Sequence, residues 1–175
     1  MTTQLMTEKP ESDKSEQLLW LGLYDNLTRL PNRYLFLDRL HHIKRHAARE
    51  KYEFAVLMIE LGDLEKINEE KGHHSGEQAL IAVASRLQKL ARDSDTIARF
   101  GNNEFTVILR NISSMQDAES IAAKYVRALN KPISTDNGEL IVNASIGVSY
   151  YPNHSEDINE LLHKAEKAML VSTDR

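Results

Sequence analysis

The amino-acid sequence predicts an α/β domain in which helices cover a single, mostly antiparallel sheet. The run Phe54 to Leu61 (FAVLMIEL) is nearly continuous in apolar residues, too short for a good helix and right for a central strand buried on both faces. Thr96 to Phe100 and Glu104 to Leu109 read as two short strands around Gly101-Asn102-Asn103, a hairpin pattern because Gly and Asn tolerate the positive φ angles of a tight turn. In the segments around these strands, apolar residues recur at helical spacing.

In chain order, residues 1 to 15 (MTTQLMTEKPESDKS) are polar, with Pro10 and hardly any large apolar side chain. A mobile tail is expected there, with the ordered domain over residues 16–175. Leu18, Leu19, Leu21 and Leu23 suit a short lead-in helix; Asp25 to Asn32 then carries turn chemistry, and Pro31 interrupts any helix. A helix over 33–49 buries Leu35, Phe36, Leu40 and Ile43, and after the central strand a second over 76–90 repeats Leu80, Val83, Leu87 and Leu90. Past the hairpin, a helix over 114–129 turns Ile121, Ala122, Tyr125 and Leu129 inward. Asp136-Asn137-Gly138 forms a turn, Leu140 to Tyr151 a long strand, and a final helix over 158–171 sets Leu161, Leu162, Ala165, Ala168 and Met169 on one face.

A chain of 175 residues suits one domain that folds without staples. Hydrophobic content of 41%, charged content of 27% and a net charge of -4 lack the basic excess of a nucleic-acid binder and any polybasic membrane patch. With no Cys, disulfides, thiol nucleophiles and zinc-thiolate sites are excluded. Apolar stretches fall far below the ~20 residues of a membrane helix, and Met1 to Gln17 has no signal-peptide core, so a cytoplasmic location is expected.

Four separated segments carry more specific information: Asp25 to Arg33 (DNLTRLPNR), Asn68 to Glu77 (NEEKGHHSGE), Arg99 to Phe105 (RFGNNEF), and Ala144 to Val148 (ASIGV) with the following Tyr151-Pro152. In order and spacing they resemble DxLTGLPNR, NDxxGHxxGD, RxGGDEF and the SIG strand with its trailing YP, the motifs of the GGDEF family of bacterial diguanylate cyclases, and the resemblance covers about Tyr24 to Met169. It implies a fold like that of class III nucleotidyl cyclases, with the signature on a β-hairpin beside the nucleotide site. It also implies a dimer that condenses two GTP into cyclic di-GMP, each half-site presenting one GTP with two divalent metals.

The resemblance assigns roles to this chain residue by residue. The signature stands as Gly101, Asn102, Asn103, Glu104 and Phe105. The family's first metal carboxylate aligns with Glu60, and its second with Asn103, whose amide brings no charge and would hold Mg²⁺ weakly. Asn102 narrows the space where a glycine lets backbone approach phosphate. Glu104 is the residual catalytic position. Glu65 replaces a phosphate-binding Lys, turning attraction into repulsion where each unit-charge interaction is on the order of 4 kcal/mol at ~4 Å and an effective dielectric of about 20, before screening. Ser172 and Thr173 replace the AK pair. The guanine-reading positions are Asn68 and Glu77, and Arg92-Asp93-Ser94-Asp95 is an RxxD segment in the register of the family's product-binding inhibitory site, with Lys124 in place of a second Arg.

The resemblance therefore implies a catalytically impaired or inactive cyclase-like domain that binds cyclic di-GMP at RxxD. Beside it stand a low-activity cyclase and a GTP-sensing half of a GGDEF-EAL phosphodiesterase. Cyclic di-GMP or GTP, an EAL or other signalling domain and a second copy are the implied partners. Plainer readings stand too: Asn102 and Asn103 as hairpin residues, Glu60 as a solvated strand end, and Arg92 with Asp95 as a surface ion pair. Glu65, Lys66, Glu69, Glu70 and Lys71 read as a solvated helical face, His42 and His46 as surface side chains, and His73 as structural.

Overall fold

A computed structural model of the chain describes residues 13–173. The expected tail lies outside them except at its end, where the Asp13 carboxylate accepts the Ser15 amide and caps α1 (Lys14–Leu23), so Lys14 and Ser15 are helical. Within α1, Trp20 is buried and stacks on Tyr24, whereas Leu18, Leu19 and Leu21 face outward. Asn32 caps α2 (Arg33–Glu50) by accepting the Leu35 amide, and Lys51 ends that helix in the left-handed conformation. In α2, Ala47 joins Phe36, Leu40 and Ile43 in the core, while Leu35 is only half-buried.

The central strand, β1 (Phe54–Gly62), leads into α3 (Leu64–Lys71), and Gly72, at φ 91°, turns the chain into α4 (His73–Leu90). That glycine corner lets α4 begin one turn before the expected Gly76. At its other end Leu90 is exposed. Next come β2 (Thr96–Arg99), β3 (Glu104–Arg110) and α5 (Met115–Leu129), the last capped by Ser114. The expected long strand from Leu140 is two strands: β5 (Gly138–Leu140) hairpins with β4 (Ile133–Thr135), and Ile141-Val142 separates it from β6 (Asn143–Tyr151). A continuous extended pattern hid this break, because an apolar residue on either side of a bend reads the same. Finally α6 (Ile158–Thr173) buries Leu161, Ala165 and Met169, with Ala168 outward.

The main sheet has strand order β2-β3-β1-β6, and every pairing is antiparallel. Ala55, Leu57, Ile59 and Leu61 of β1 pack under α3, α4 and α5, and Phe54, Val56 and Met58 under α2 and α6. Both faces are therefore covered, which is why β1 reads as an unbroken apolar run. The closest approach to backbone that any glycine makes is on β6: a Cβ on Gly147 would lie 2.0 Å from the Ala165 carbonyl oxygen and 2.2 Å from the Met169 amide nitrogen. Glycine there is what seats α6 on the sheet.

Candidate functional site

The segment Asp25 to Arg33 folds into a turn whose polar groups serve the hairpin. The Asp25 carboxylate accepts the Thr28 amide at 2.8 Å and the Thr28 hydroxyl at 2.7 Å, and Arg99 Nη1 spans both carboxylate oxygens at 3.2 Å. Burial pushes the Asp25 carboxyl up, but the Thr28 donors and the Arg99 guanidinium together hold it below the usual carboxylate range. Pro31 accepts the Arg99 amide, and Arg99 Nη2 donates to the Asn102 carbonyl, so this early turn braces the start of the hairpin. Arg29 sits at φ 65° with its guanidinium 5.1 Å from the Trp20 ring.

Gly101, Asn102 and Asn103 all have negative φ, so the hairpin is not the tight positive-φ turn expected from Gly and Asn. It is held instead by the Phe100 and Gly101 amides, both donated to the Glu104 carbonyl, and by contacts to β1. Asn103 is bound twice to Leu61: its carbonyl accepts the Leu61 amide at 2.9 Å, and its Nδ2 donates to the Leu61 carbonyl at 3.1 Å. Asn102 is exposed, and Phe105 is fully buried under α4 and α5.

Register sets the carboxylates against each other. Glu60 lies directly opposite Glu104 across β1 and β3, and like charges so placed repel. Burial pushes the Glu104 carboxyl up, the charges of Glu166 on α6 and Glu60 push it further, and only Arg33 opposes. A cavity of about 530 Å³ opens beside Glu60 and Asn103, lined also by Asp63, Glu65, Lys66 and Glu69. As arranged, the Asn103 amide hydrogens occupy the direction from which a cation would approach the Leu61 carbonyl. Among the described residues no cluster of three or more His, Asp or Glu side chains has a metal-holding arrangement.

The guanine-reading positions meet at the corner between α3 and α4. Asn68 Oδ1 is buried without a hydrogen-bond partner and lies where a Cβ on Gly76 would come within 1.8 Å. Glu77 is half-exposed, 3.9 Å from His73, which itself is open to solvent. The β4–β5 turn clamps this corner: Asn137 Nδ2 donates to the Lys71 carbonyl, and Asp136 meets His74 at 3.0 Å. Neither Asn68 nor Glu77 lines the cavity at Glu60.

The RxxD segment is a closed turn. Asp95, its side chain only 3% exposed, accepts the Arg92 amide at 3.0 Å, Nε at 3.4 Å and Nη2 at 3.1 Å, while the Arg92 side chain is 47% exposed and its Nη2 also reaches the Arg110 carbonyl. The carboxylate expected to face a guanine is thus turned inward, and Arg92 is the half of the pair open to a ligand. A cavity of about 360 Å³ lies alongside, lined by Arg39, His42, Asp95, Thr96 and Arg110 among others. Lys124, on α5, points to solvent. His42 and His46 are not paired with each other: Arg45 Nη2 lies 3.0 Å from His42 Nδ1, and His46 Nδ1 lies 3.3 Å from the Tyr52 hydroxyl.

Residues given no role from the sequence complete the site around the signature: Arg99, Arg33 and Glu166. Arg99 and Arg33 stand in matched motifs, which is a usable signal; Glu166 has none.

Residues 22–174 match the family described as "Diguanylate cyclase, GGDEF domain". The chain is 38% identical over 161 residues to the bifunctional diguanylate cyclase/cyclic di-GMP phosphodiesterase MucR of Pseudomonas aeruginosa, covering 92% of this chain and 23% of that protein. It is 37% identical over 150 residues to the cyclic di-GMP phosphodiesterase NbdA of the same organism, covering 85% and 19% respectively. The chain therefore spans about a quarter or less of these relatives. The GGDEF domain of TpbB from P. aeruginosa superposes with a TM-score of 0.83 at 35% identity, over 86% of this chain and 88% of that one. No helix among the described residues is long and apolar enough to cross a membrane.

Proposed function

The chain belongs to the GGDEF family, and within it we propose a receptor rather than a catalyst: a domain that binds cyclic di-GMP through the turn Arg92–Asp95 and condenses GTP poorly or not at all. One observation carries this reading. The RxxD turn is assembled, with a half-exposed Arg92 anchored on a buried Asp95, while the signature's metal position is an amide spent on the Leu61 carbonyl. Once turned from Asp95, a guanidinium at this place presents a planar fork to a phosphate or to the Hoogsteen edge of guanine. Mg²⁺ would meet Glu60, Glu104 and an Asn103 hydrogen-bond donor, a set that supports only weak binding.

A second reading rests on Asn68. Its buried, unpartnered Oδ1 is suited to a guanine N–H donor, which favours a GTP-sensing role beside a phosphodiesterase in a longer protein. Calorimetric titration with cyclic di-GMP and with GTP plus Mg²⁺ separates the two. Cyclic di-GMP is expected to bind more tightly than GTP, and Arg92→Ala to weaken it at least tenfold. A flat cyclic di-GMP isotherm at high micromolar ligand, or one that Arg92→Ala leaves unchanged, overturns the receptor reading. Tight GTP binding lost in Asn68→Ala establishes the second.

A further inference from the structure

The buried oxygen of Asn68 takes its aim from the neighbouring helix. Asn68 stands near the end of α3, and its Oδ1 fills the space that a side chain at Gly76 of α4 would occupy. The angle between the two helices therefore sets where this oxygen can point. Its hinge is Gly72, at φ 91°, and the backbone hydrogen bonds at the corner pass through that residue: the Gly72 amide donates to the Asn68 carbonyl at 3.0 Å, and its carbonyl accepts the Ser75 and Gly76 amides at 3.2 and 3.4 Å. A single glycine is a weak joint by itself.

Side chains brace the joint. The Lys71 carbonyl, the last of α3, has no partner within the helix and accepts the Ser75 hydroxyl at 3.1 Å. From the β4–β5 turn, Asn137 Nδ2 donates to that same carbonyl at 2.9 Å and to Ser75 Oγ at 3.2 Å, so one amide group holds the end of α3 and the start of α4 together. Asn137 is fixed in turn. Its backbone amide donates to Thr135 Oγ1 at 3.3 Å, while beside it the Asp136 amide donates to Gln78 Oε1 at 3.0 Å and the Asp136 carboxylate meets His74 at 3.0 Å.

We propose that Asn137 is a positioning residue for guanine recognition: by bridging Lys71 and Ser75 it fixes the α3–α4 corner and so aims Asn68 Oδ1 at the N–H donors of the base. Guanine offers a ring N–H and an amino group on the edge where adenine offers a bare ring nitrogen. An acceptor held in place discriminates between them, and one that swings with a loose corner does so poorly. The inference rests on the reading of Asn68 as a guanine acceptor, whereas the brace on the corner needs no ligand.

Calorimetric titration of the full chain with GTP and with ATP, each with Mg²⁺, keeps triphosphate and metal in common and isolates the base. Asn137→Ala is expected to weaken GTP about fivefold and to leave ATP unchanged, because the aimed population of Asn68 falls while the phosphate contacts stay. The turn is exposed, so the urea midpoint is expected to remain near that of the wild type. A role confined to stability moves the midpoint and leaves the GTP-to-ATP ratio alone, an outcome that overturns the proposal. In an Asn68→Ala background Asn137→Ala should change the ratio no further, and a further fall there overturns action through Asn68. Amide hydrogen exchange is the arm without nucleotide: Gly72 and Gly76 should exchange about fivefold faster in Asn137→Ala, with the amides of β1 unaltered. Unchanged exchange at both glycines refutes the brace whatever the nucleotides do. A wild type that binds GTP no better than ATP refutes the guanine reading of Asn68, while exchange still decides on Asn137.

Discussion

At Asn103 one nitrogen changes the character of the site. Its Nδ2 donates to the Leu61 carbonyl, joining hairpin to central strand by a hydrogen bond where a carboxylate would have needed a cation between two acceptors. Asn103→Asp is therefore expected to lower stability by about 1–3 kcal/mol in chelator, the cost of facing buried acceptors at each other, and to recover part of it with Mg²⁺. Thermal melting with and without Mg²⁺ reads this directly; a midpoint untouched by the substitution refutes it. Glu104 makes the same point from the acidic side. Its folded pKa is raised above the ordinary 4.5 by burial, then by Glu166 and Glu60. The folded state thus holds that proton longer than the unfolded chain, and stability falls as pH climbs through the folded value. Glu104→Gln, which cannot charge, is expected to be more stable than wild type at pH 7 and to lose that advantage below about pH 4.5. Urea midpoints at the two pH values settle the sign.

At the scale of elements, what holds α6 is its approach to β6. Leu161, Ala165 and Met169 supply the apolar face, but backbone atoms of the helix stand where any side chain at Gly147 would have to go. Gly147→Ala is expected to cost about 3 kcal/mol or more, since a helix backbone cannot yield as a flexible side chain would. The same helix carries Glu166, so a displaced α6 should also relax the Glu104 environment. A denaturation midpoint within error of wild type would show that α6 can slide without penalty. The β4–β5 hairpin is the element that periodicity missed. Its turn was legible in Asp136-Asn137-Gly138, yet its docking on Lys71, His74 and Gln78 joins segments about sixty residues apart and leaves no local pattern.

For the whole molecule the substitutions act together. Condensing GTP requires cations for phosphates and carboxylates for metal, and this chain offers Glu65 in the cavity wall and Asn103 at its floor. No measurable cyclic di-GMP is expected from GTP and Mg²⁺, and the pair Asn102→Gly with Asn103→Asp is not expected to restore full turnover while Glu65 still faces the phosphates. Chromatographic assay of product decides both. Turnover like that of an intact cyclase in the wild type contradicts the first, and full rescue by the pair shows that Glu65 counts for less than its charge suggests.

Chain-local patterns determined the class, the long helices and the strands of the main sheet, because burial on a strand or helix repeats with a period that one segment displays by itself. Two of the four short motifs likewise marked the hairpin and the corner at Asn68, and the separate RxxD segment marked its turn, since each is contiguous in the chain. Tertiary structure alone decided what those pieces touch: Arg99 meeting Asp25 across 74 positions, Glu60 opposing Glu104 and Asn103 binding Leu61. Hydrogen bonds and ion pairs are short-ranged and directional, so which of them form depends on strand register and helix seating, quantities that only the packed chain defines.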